Sequence, residues 1–333
     1  MGLVDLPRVP LGIFPTPFAR VSDLAGEPGL RELYLKRDDL TGFAWGGNKV
    51  RTLEYVLADA LARGSDTVVV AGGPTSNFAA MLAVAACRYG LGVTQVCYGD
   101  LREGASALKV SRRAGAVVEF TGGPDRGGME ERAAEIAESQ RAQGLTSYVV
   151  PRGGATAVGA CGFAAAAVEL LEQLDEHDLA EVTVVLPVGS GGSIAGLVAG
   201  LALAGAGDRV DVVGVSVSRP VALARQEIAE RAEACARLVG ATGTPARWRL
   251  VDGRGPGYGS SSAEADRLAL RVLCHGGLLA DPVYNAKALL WLSQHRPELR
   301  RPLVYWSTGG ALASADELTS TTAGAAVGEE ARS

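Results

Sequence analysis

A chain of 333 residues with 47% hydrophobic and 5% aromatic residues and a net charge of −5 can build one large α/β domain or two moderate ones. The mild acidity, with no basic stripe interleaved with aromatics, leaves no footprint for nucleic acid and points to a small-molecule partner. Apolar runs such as 182–188 and 197–204 fall short of the roughly 20 residues a bilayer span needs, and the first seven residues lack the basic-then-apolar pattern of a leader. A cytoplasmic protein with no membrane partner is expected.

Residues 1–30 are proline-rich and read as irregular, ending at a short apolar strand over 33–36. Asp38 and Asp39 follow it and are expected to cap or salt-bridge locally. Gly46 and Gly47 then make a turn that holds Lys49, one of four lysines in a chain whose other cationic side chains are arginine. Arginine carries charge but forms no Schiff base, so this lysine has a chemical reading beside the plain one of a surface lysine next to a turn. Helical spacing over 50–61 stops near Gly64, and the β-branched run 67–70 reads as a buried strand. It runs into Gly72-Gly73-Pro74-Thr75-Ser76-Asn77, which opens an alanine-rich helix over 78–89. Strand, glycine-rich loop and helix form half a βαβ unit and present backbone N–H groups and small hydroxyls above the sheet edge.

The alternation continues with strands at 93–98, 116–120 and 147–150 and helices at 105–114 and 129–143. A second series holds a helix over 164–174, a strand at 182–188, a glycine loop over 189–196 followed by a helix, a strand at 211–218 and a helix at 221–239. A short strand at 248–251, the loop 255–259, a helix from 263, a helix opened by Asp281-Pro282-Val283-Tyr284 and a strand at 303–306 complete it. This order implies an α/β fold of two lobes, each an open, mostly parallel sheet flanked by helices. The expected division is 1–51 with 159–333 as the large domain and 52–158 as the small one, with a disordered tail from about 318. Five scattered cysteines without a CxxC pair read as buried free thiols, and three histidines without ligand spacing predict no metal site.

Gly189, Ser190, Gly191, Gly192 and Ser193 follow a buried strand and open a helix, so their backbone can wrap an anion with the helix N-terminus behind it. No Gly-Lys-Ser/Thr ends the loop, which excludes a P-loop. A dinucleotide loop is the rival reading, but the third glycine is misplaced and the next strand ends without an acidic residue for a ribose. A purely structural turn is the third. A lysine in a glycine turn, Ser76-Asn77 at a strand-to-helix loop, a phosphate cup and Thr308 after the last strand together match the needs of pyridoxal phosphate: an amine, an anion cup, and partners for ring oxygen and ring nitrogen.

Lys36-Arg37-Asp38-Asp39-Leu40-Thr41-Gly42 with Gly46-Gly47-Asn48-Lys49-Val50-Arg51, Gly72-Gly73 with Ser76-Asn77, Asp281-Pro282-Val283-Tyr284 and Thr308-Gly309-Gly310 make the chain resemble the tryptophan synthase β, or fold type II, superfamily of pyridoxal-phosphate enzymes. Within it the branch of D-cysteine desulfhydrase and 1-aminocyclopropane-1-carboxylate (ACC) deaminase is similar from about 15 to 313. The resemblance implies a homodimer with the cofactor between the lobes. Lys49 would carry the cofactor and move the Cα proton, Asn77 would meet the ring oxygen, 189–193 the phosphate and Thr308 the ring nitrogen. Ser76 would contact the substrate carboxylate or carry a proton, and Tyr258 and Tyr284 would face the substrate side chain, where a phenol can protonate a departing group. Each tyrosine also has the plain reading of a packed aromatic.

Three positions depart from the branch. Asn285 stands where ACC deaminases carry a glutamate near the ring nitrogen, Phe78 where histidine or glutamine is usual, and Ser307 where desulfhydrases tend to have histidine. A neutral amide supports a charged ring less than a carboxylate does, which favours β-elimination from a small amino acid over ring opening. ACC deamination, β-replacement, a cofactor-binding protein without catalysis and, weakest, a dehydrogenase are the alternatives. Phe78, lying beside the carboxylate site, is expected to shape the substrate pocket with Tyr258, Tyr284 and Asn285.

Overall fold

The computed structural model describes residues 2–100, 105–299 and 302–312; the tail expected to be disordered lies outside them. Two strands open the chain, β1 (Phe18–Asp23) and β2 (Arg31–Arg37), followed by helix α1 (Lys49–Ala62). Then come β3 (Thr67–Ala71), α2 (Asn77–Arg88), β4 (Gly92–Cys97), α3 (Ser106–Arg113), β5 (Val117–Phe120), α4 (Gly128–Ala142) and β6 (Ser147–Val150). The second series is α5 (Ala157–Glu176), β7 (Val182–Val188), α6 (Gly192–Leu203), β8 (Val210–Ser216), α7 (Val221–Val239), β9 (Trp248–Asp252), α8 (Ala263–Gly276), α9 (Asn285–His295) and β10 (Leu303–Ser307).

These strands form two sheets, one of order β1-β2-β10-β7-β8-β9 and one of order β5-β4-β3-β6, parallel throughout except for the β1–β2 pair. Parallel strands need both faces covered, and neighbouring residues show it. Val184, Val212 and Val304 pack with α5, α6 and α7, while Val185, Val213 and Tyr305 pack with α8 and α9. In the smaller sheet Val68 and Val70 face α1 and α2, and Val69 and Ala71 face α4. Each such buried aliphatic side chain contributes about 1.5–3 kcal/mol, so the β-branched runs place these sheets at the centre of their lobes.

Four expectations need correction. Residues 18–23 are a strand, hidden from the sequence because β1 is an edge strand with only partial burial and polar residues along it. Helix α5 begins at Ala157, seven residues before the expected start, because Gly159 and Gly162 are contact points and not breaks. A Cβ on Gly162 would sit 2.1 Å from the Arg51 carbonyl oxygen. Likewise Gly196 and Gly200 lie inside α6, where added Cβ atoms would sit 2.0 and 2.4 Å from the carbonyl oxygens of Ala160 and Ala164 on α5. The two helices therefore cross at backbone contact. Among the described residues α5 alone is long and apolar enough to cross a bilayer, yet most of it is buried inside the fold. Of the five thiols, Cys97, Cys161 and Cys235 are buried, but Cys87 and Cys274 are exposed.

The carboxyl ends of β3, β4 and β6 face those of β7, β8 and β10 across a cleft of about 550 Å³. Open parallel sheets take ligands at this end.

Candidate active site

Lys49 is the first residue of α1 and projects into the cleft from a turn that only glycine can make, with φ of +74° at Gly46 and +108° at Gly47. Three segments strap that turn in place. Gly47 N–H donates to the Asp38 carbonyl, Asn48 N–H donates to the Thr308 carbonyl, and the Asn48 amide donates to Ser193 Oγ at 2.9 Å. The lysine turn is thus tied to the end of β10 and to the start of α6. Burial draws the Lys49 ammonium down to about 8, and its Nζ has no hydrogen-bond partner among the described residues. At pH 7 about one-tenth of such amines are neutral, against about 0.03% for an ordinary lysine.

Beneath the turn lies a buried charge network. Arg51 donates from Nε and Nη2 to both oxygens of Asp38 at 2.8 Å and from Nη1 and Nη2 to both oxygens of Glu169 at 2.9 Å. Fully buried Lys36 pairs with Glu169 and donates to Gln173 and to the Thr16 carbonyl. Burial works to raise the Glu169 carboxyl, but hydrogen bonds from Arg51, backed by Lys36, hold it at about 2. Asp39 pairs locally with Arg37, as expected; Asp38 instead reaches forward across the turn to Arg51.

The loop 189–193 turns through Gly191 at φ +86°, where a Cβ would meet Ile228 at 2.5 Å. The N–H groups of Gly192, Ser193 and Ile194 in the first turn of α6 have no intrahelical acceptor, and Ser193 and Ile194 line the cleft while Gly192, expected with them, does not. Arg231 braces the loop from behind, donating to the Ser190 carbonyl at 3.0 Å and the Ala155 carbonyl at 2.7 Å. Close approach joins this loop to the rest of the site. An added Cβ on Gly153 would be 2.7 Å from Ser190 Oγ and 4.0 Å from Lys49 Nζ, and one on Gly189 would be 2.9 Å from the Tyr284 ring.

The remaining expected residues line the same cleft. Ser76 caps α2, its Oγ accepting from Ala79 N–H at 3.2 Å, and Asn77 begins that helix with a buried Oδ1 that has no partner. Phe78 is 3% exposed and belongs mainly to the core of the smaller lobe, with its ring edge packed against Gly154. Tyr258 and Tyr284 meet at 3.3 Å between hydroxyls, and burial followed by the charge of Tyr258 raises the Tyr284 phenol well above its ordinary value. Thr308 is buried at the end of β10.

Asn285 does not face the cleft, contrary to expectation. Its Nδ2 donates to Asp281 at 2.6 Å, and its Oδ1 accepts from the Tyr305 hydroxyl at 2.9 Å and from Thr308 N–H at 3.3 Å. It positions Thr308 from behind. Asp281 does line the cleft, accepting the N–H groups of Val283, Tyr284 and Asn285, with its carboxyl raised by burial. Arg126, Arg152, Arg219 and Arg231 also line it, and no motif in the sequence announced them.

These residues fit pyridoxal phosphate on their own chemistry. There is an unpartnered amine, a helix N-terminus with free N–H groups whose loop the Arg231 guanidinium braces, and an orphaned Asn77 amide whose half-turn about χ2 offers a donor. A neutral hydroxyl at Thr308 completes the set. An enzyme that works through this cofactor is the class that the fold and cleft define. The chain belongs to the pyridoxal-phosphate dependent enzyme family, whose profile matches residues 9–309. It is 34% identical over 310 residues to a Pyrococcus abyssi protein provisionally named a 1-aminocyclopropane-1-carboxylate deaminase, covering 92% of this chain and 93% of that one. It is also 34% identical over 323 residues to D-cysteine desulfhydrase of Salmonella paratyphi A, covering 93% and 95%. A crystal structure of an ACC deaminase homologue superposes with a TM-score of 0.86 at 30% identity over 95% of this chain and 96% of the other. The fold type II resemblance and its branch therefore hold.

Proposed function

We propose that the chain is a lyase that removes the Cα proton of a small amino acid and expels its β-substituent, in the manner of D-cysteine desulfhydrase, yielding a 2-oxo acid, ammonia and the freed group. The observation that carries this reading is the Lys49 amine, held near a pKa of 8 without a partner in the cleft that the 189–193 loop and the Tyr258–Tyr284 pair also line. Bound pyridoxal phosphate supplies the electron sink that makes a Cα proton acidic. Lys49 would be the amine that attaches it and the base that takes that proton. Gly189, Ser190, Gly191, Gly192 and Ser193 would hold the phosphate, Asn77 the ring oxygen and Thr308 the ring nitrogen.

Ser76 orients the substrate carboxylate at the start of α2, where the helix N-terminus favours negative charge. Tyr284, its phenol kept protonated by burial, donates to the departing group, and Tyr258 fixes that hydroxyl. Phe78 shapes the floor beside them. Residues 1–51 and 159–333 act as the cofactor-binding domain and 52–158 as the small domain on this reading. Homodimeric assembly and a cytoplasmic setting belong to the same proposal and rest on the resemblance.

Release of sulfide and pyruvate from D-cysteine is the expected result with the cofactor-loaded protein. Formation of 2-oxobutanoate from ACC with no sulfide from either cysteine enantiomer would replace the elimination reading by deamination. A second test uses the amine alone. Capture of an added aldehyde by Lys49 should quicken about tenfold per pH unit below 8 and level off above it, because only the neutral amine attacks and its pKa lies below that of an ordinary lysine. A rate still climbing at pH 10 would contradict the lowered value.

A further inference from the structure

The loop between β5 and α4 sends Arg126 from the smaller lobe across the cleft, where its guanidinium lies 4.1 Å from the centroid of the Tyr258 ring. Tyr258 in turn meets Tyr284 hydroxyl to hydroxyl, with the rings edge to face at 6.4 Å. Arg126 therefore stands at the end of the cleft where the proposed mechanism places the departing group. Its Nε is buried without a hydrogen-bond partner, and among the described residues no carboxylate pairs with it.

Each other guanidinium of the cleft holds at least one acceptor. Arg152 pairs with Glu130 at 3.1 Å, Arg219 pairs through Nη1 with Glu227 at 2.8 Å although its Nε and Nη2 have no partner, and Arg231 is bonded to the carbonyls of Ser190 and Ala155. Arg126 alone among them has no carboxylate or carbonyl partner among the described residues. The third carboxylate of the cleft, Asp281, is held in the cap of α9 and by Asn285. A buried guanidinium donor with no acceptor costs free energy that a neutral thiol or methyl group on the substrate does not recover. A tetrahedral oxyanion does, because the planar fork of arginine matches two of its oxygens.

We propose that Arg126 makes this a site for an amino acid whose β-carbon bears an oxyanion, a sulfonate or a phosphate ester; this substrate class rests on the lyase reading above. The step balances without a further reactant. Lys49 receives the Cα proton, the electron pair of that bond becomes the Cα–Cβ double bond, and the Cβ–S or Cβ–O bond breaks with its pair leaving on sulfite or phosphate. Water then converts the enamine to a 2-oxo acid and ammonia. Sulfite and phosphate leave as anions, so a guanidinium beside the breaking bond lowers the barrier where a thiolate would instead draw on the phenol of Tyr284.

Two measurements on the cofactor-loaded protein test this. The first is kcat/KM for both enantiomers of 3-sulfoalanine and O-phosphoserine against both enantiomers of cysteine, for the natural chain, Arg126→Met and Arg126→Lys. The expected result is that the ratio of 3-sulfoalanine to cysteine is above one in the natural chain, falls about 100-fold in Arg126→Met and recovers in part in Arg126→Lys, which restores charge without the fork. The second is calorimetric binding of 3-sulfopropanoate, which has no amine to react, against butanoate; tighter binding of the sulfonate, lost in Arg126→Met, is expected. An unchanged ratio in Arg126→Met, or equal binding of the two acids, would overturn the proposal. Sulfonate binding through Arg126 with no amino acid consumed would leave the anion site standing and remove the lyase reading, whereas turnover of cysteine without sulfonate preference would do the reverse.

Discussion

Lys49→Ala is expected to lower turnover of any amino acid substrate by at least about 10²–10⁴-fold, the range that a positioned proton-transfer group supplies, with a further loss from the missing attachment of the cofactor. The thermal midpoint should stay near that of the natural chain. Lys49 Nζ has no partner among the described residues, and the turn that presents it is held by backbone bonds from Gly47 and Asn48 that the substitution keeps. Folding and chemistry are therefore separable at this position. A variant retaining more than a tenth of the activity would remove Lys49 from the chemistry, and one that fails to fold would show that the turn depends on its side chain.

Arg51→Ala is expected to have the largest effect on stability, a loss of about 3–5 kcal/mol, because it leaves buried Asp38 without its cation and partly buried Glu169 with Lys36 alone. Arg51 is 3% exposed and also donates to Thr16 Oγ1, with its guanidinium 4.4 Å over the Phe14 ring. The pH dependence has a definite sign. Burial raises the Glu169 carboxyl and the bonds from Arg51 more than reverse it, so the folded value near 2 lies below the ordinary carboxylate range. This contribution is complete above about pH 4.3 and is lost as pH falls toward 2. Without Arg51 acid unfolding should begin at higher pH. A denaturation midpoint that shifts by less than the equivalent of about 1 kcal/mol would show that solvent enters and screens the network.

Much of the architecture was legible because its signals are local. The β-branched runs at 67–70, 182–188 and 303–306 declared buried strands, and the glycine loop after 188 declared a helix N-terminus above a sheet edge. Glycine was also the main source of error. At 162, 196 and 200 it reads as a breaker, but in space it lets α5 approach α1 and α6 at backbone distance, and nothing in the adjacent residues signals such a crossing. Strand β1 was missed because its burial comes from a single partner and its residues are mixed in polarity.

The polar and charged residues of the site divide in the same way. Lys49, Asn77 and Thr308 sit in short motifs, whereas Arg51 and Glu169 are separated by 118 residues and Lys36 and Glu169 by 133, so their pairing follows from tertiary contact alone. Arg126 lies in a loop of Gly, Pro and Asp residues where an arginine reads as solvated surface. Only the meeting of that loop with Tyr258 across the cleft gives it a role. Asn285 shows the converse, a motif position whose neighbour in space is Thr308 and not the cleft.

The scarcity of lysine makes the central claim directly measurable. Borohydride reduction of the cofactor-loaded protein, followed by digestion and mass mapping, can place a pyridoxyl group among Lys36, Lys49, Lys109 and Lys287, the only lysines in the chain. The account predicts the label on Lys49 alone. A label on any of the other three, or a cofactor that reduction leaves unattached, would contradict it.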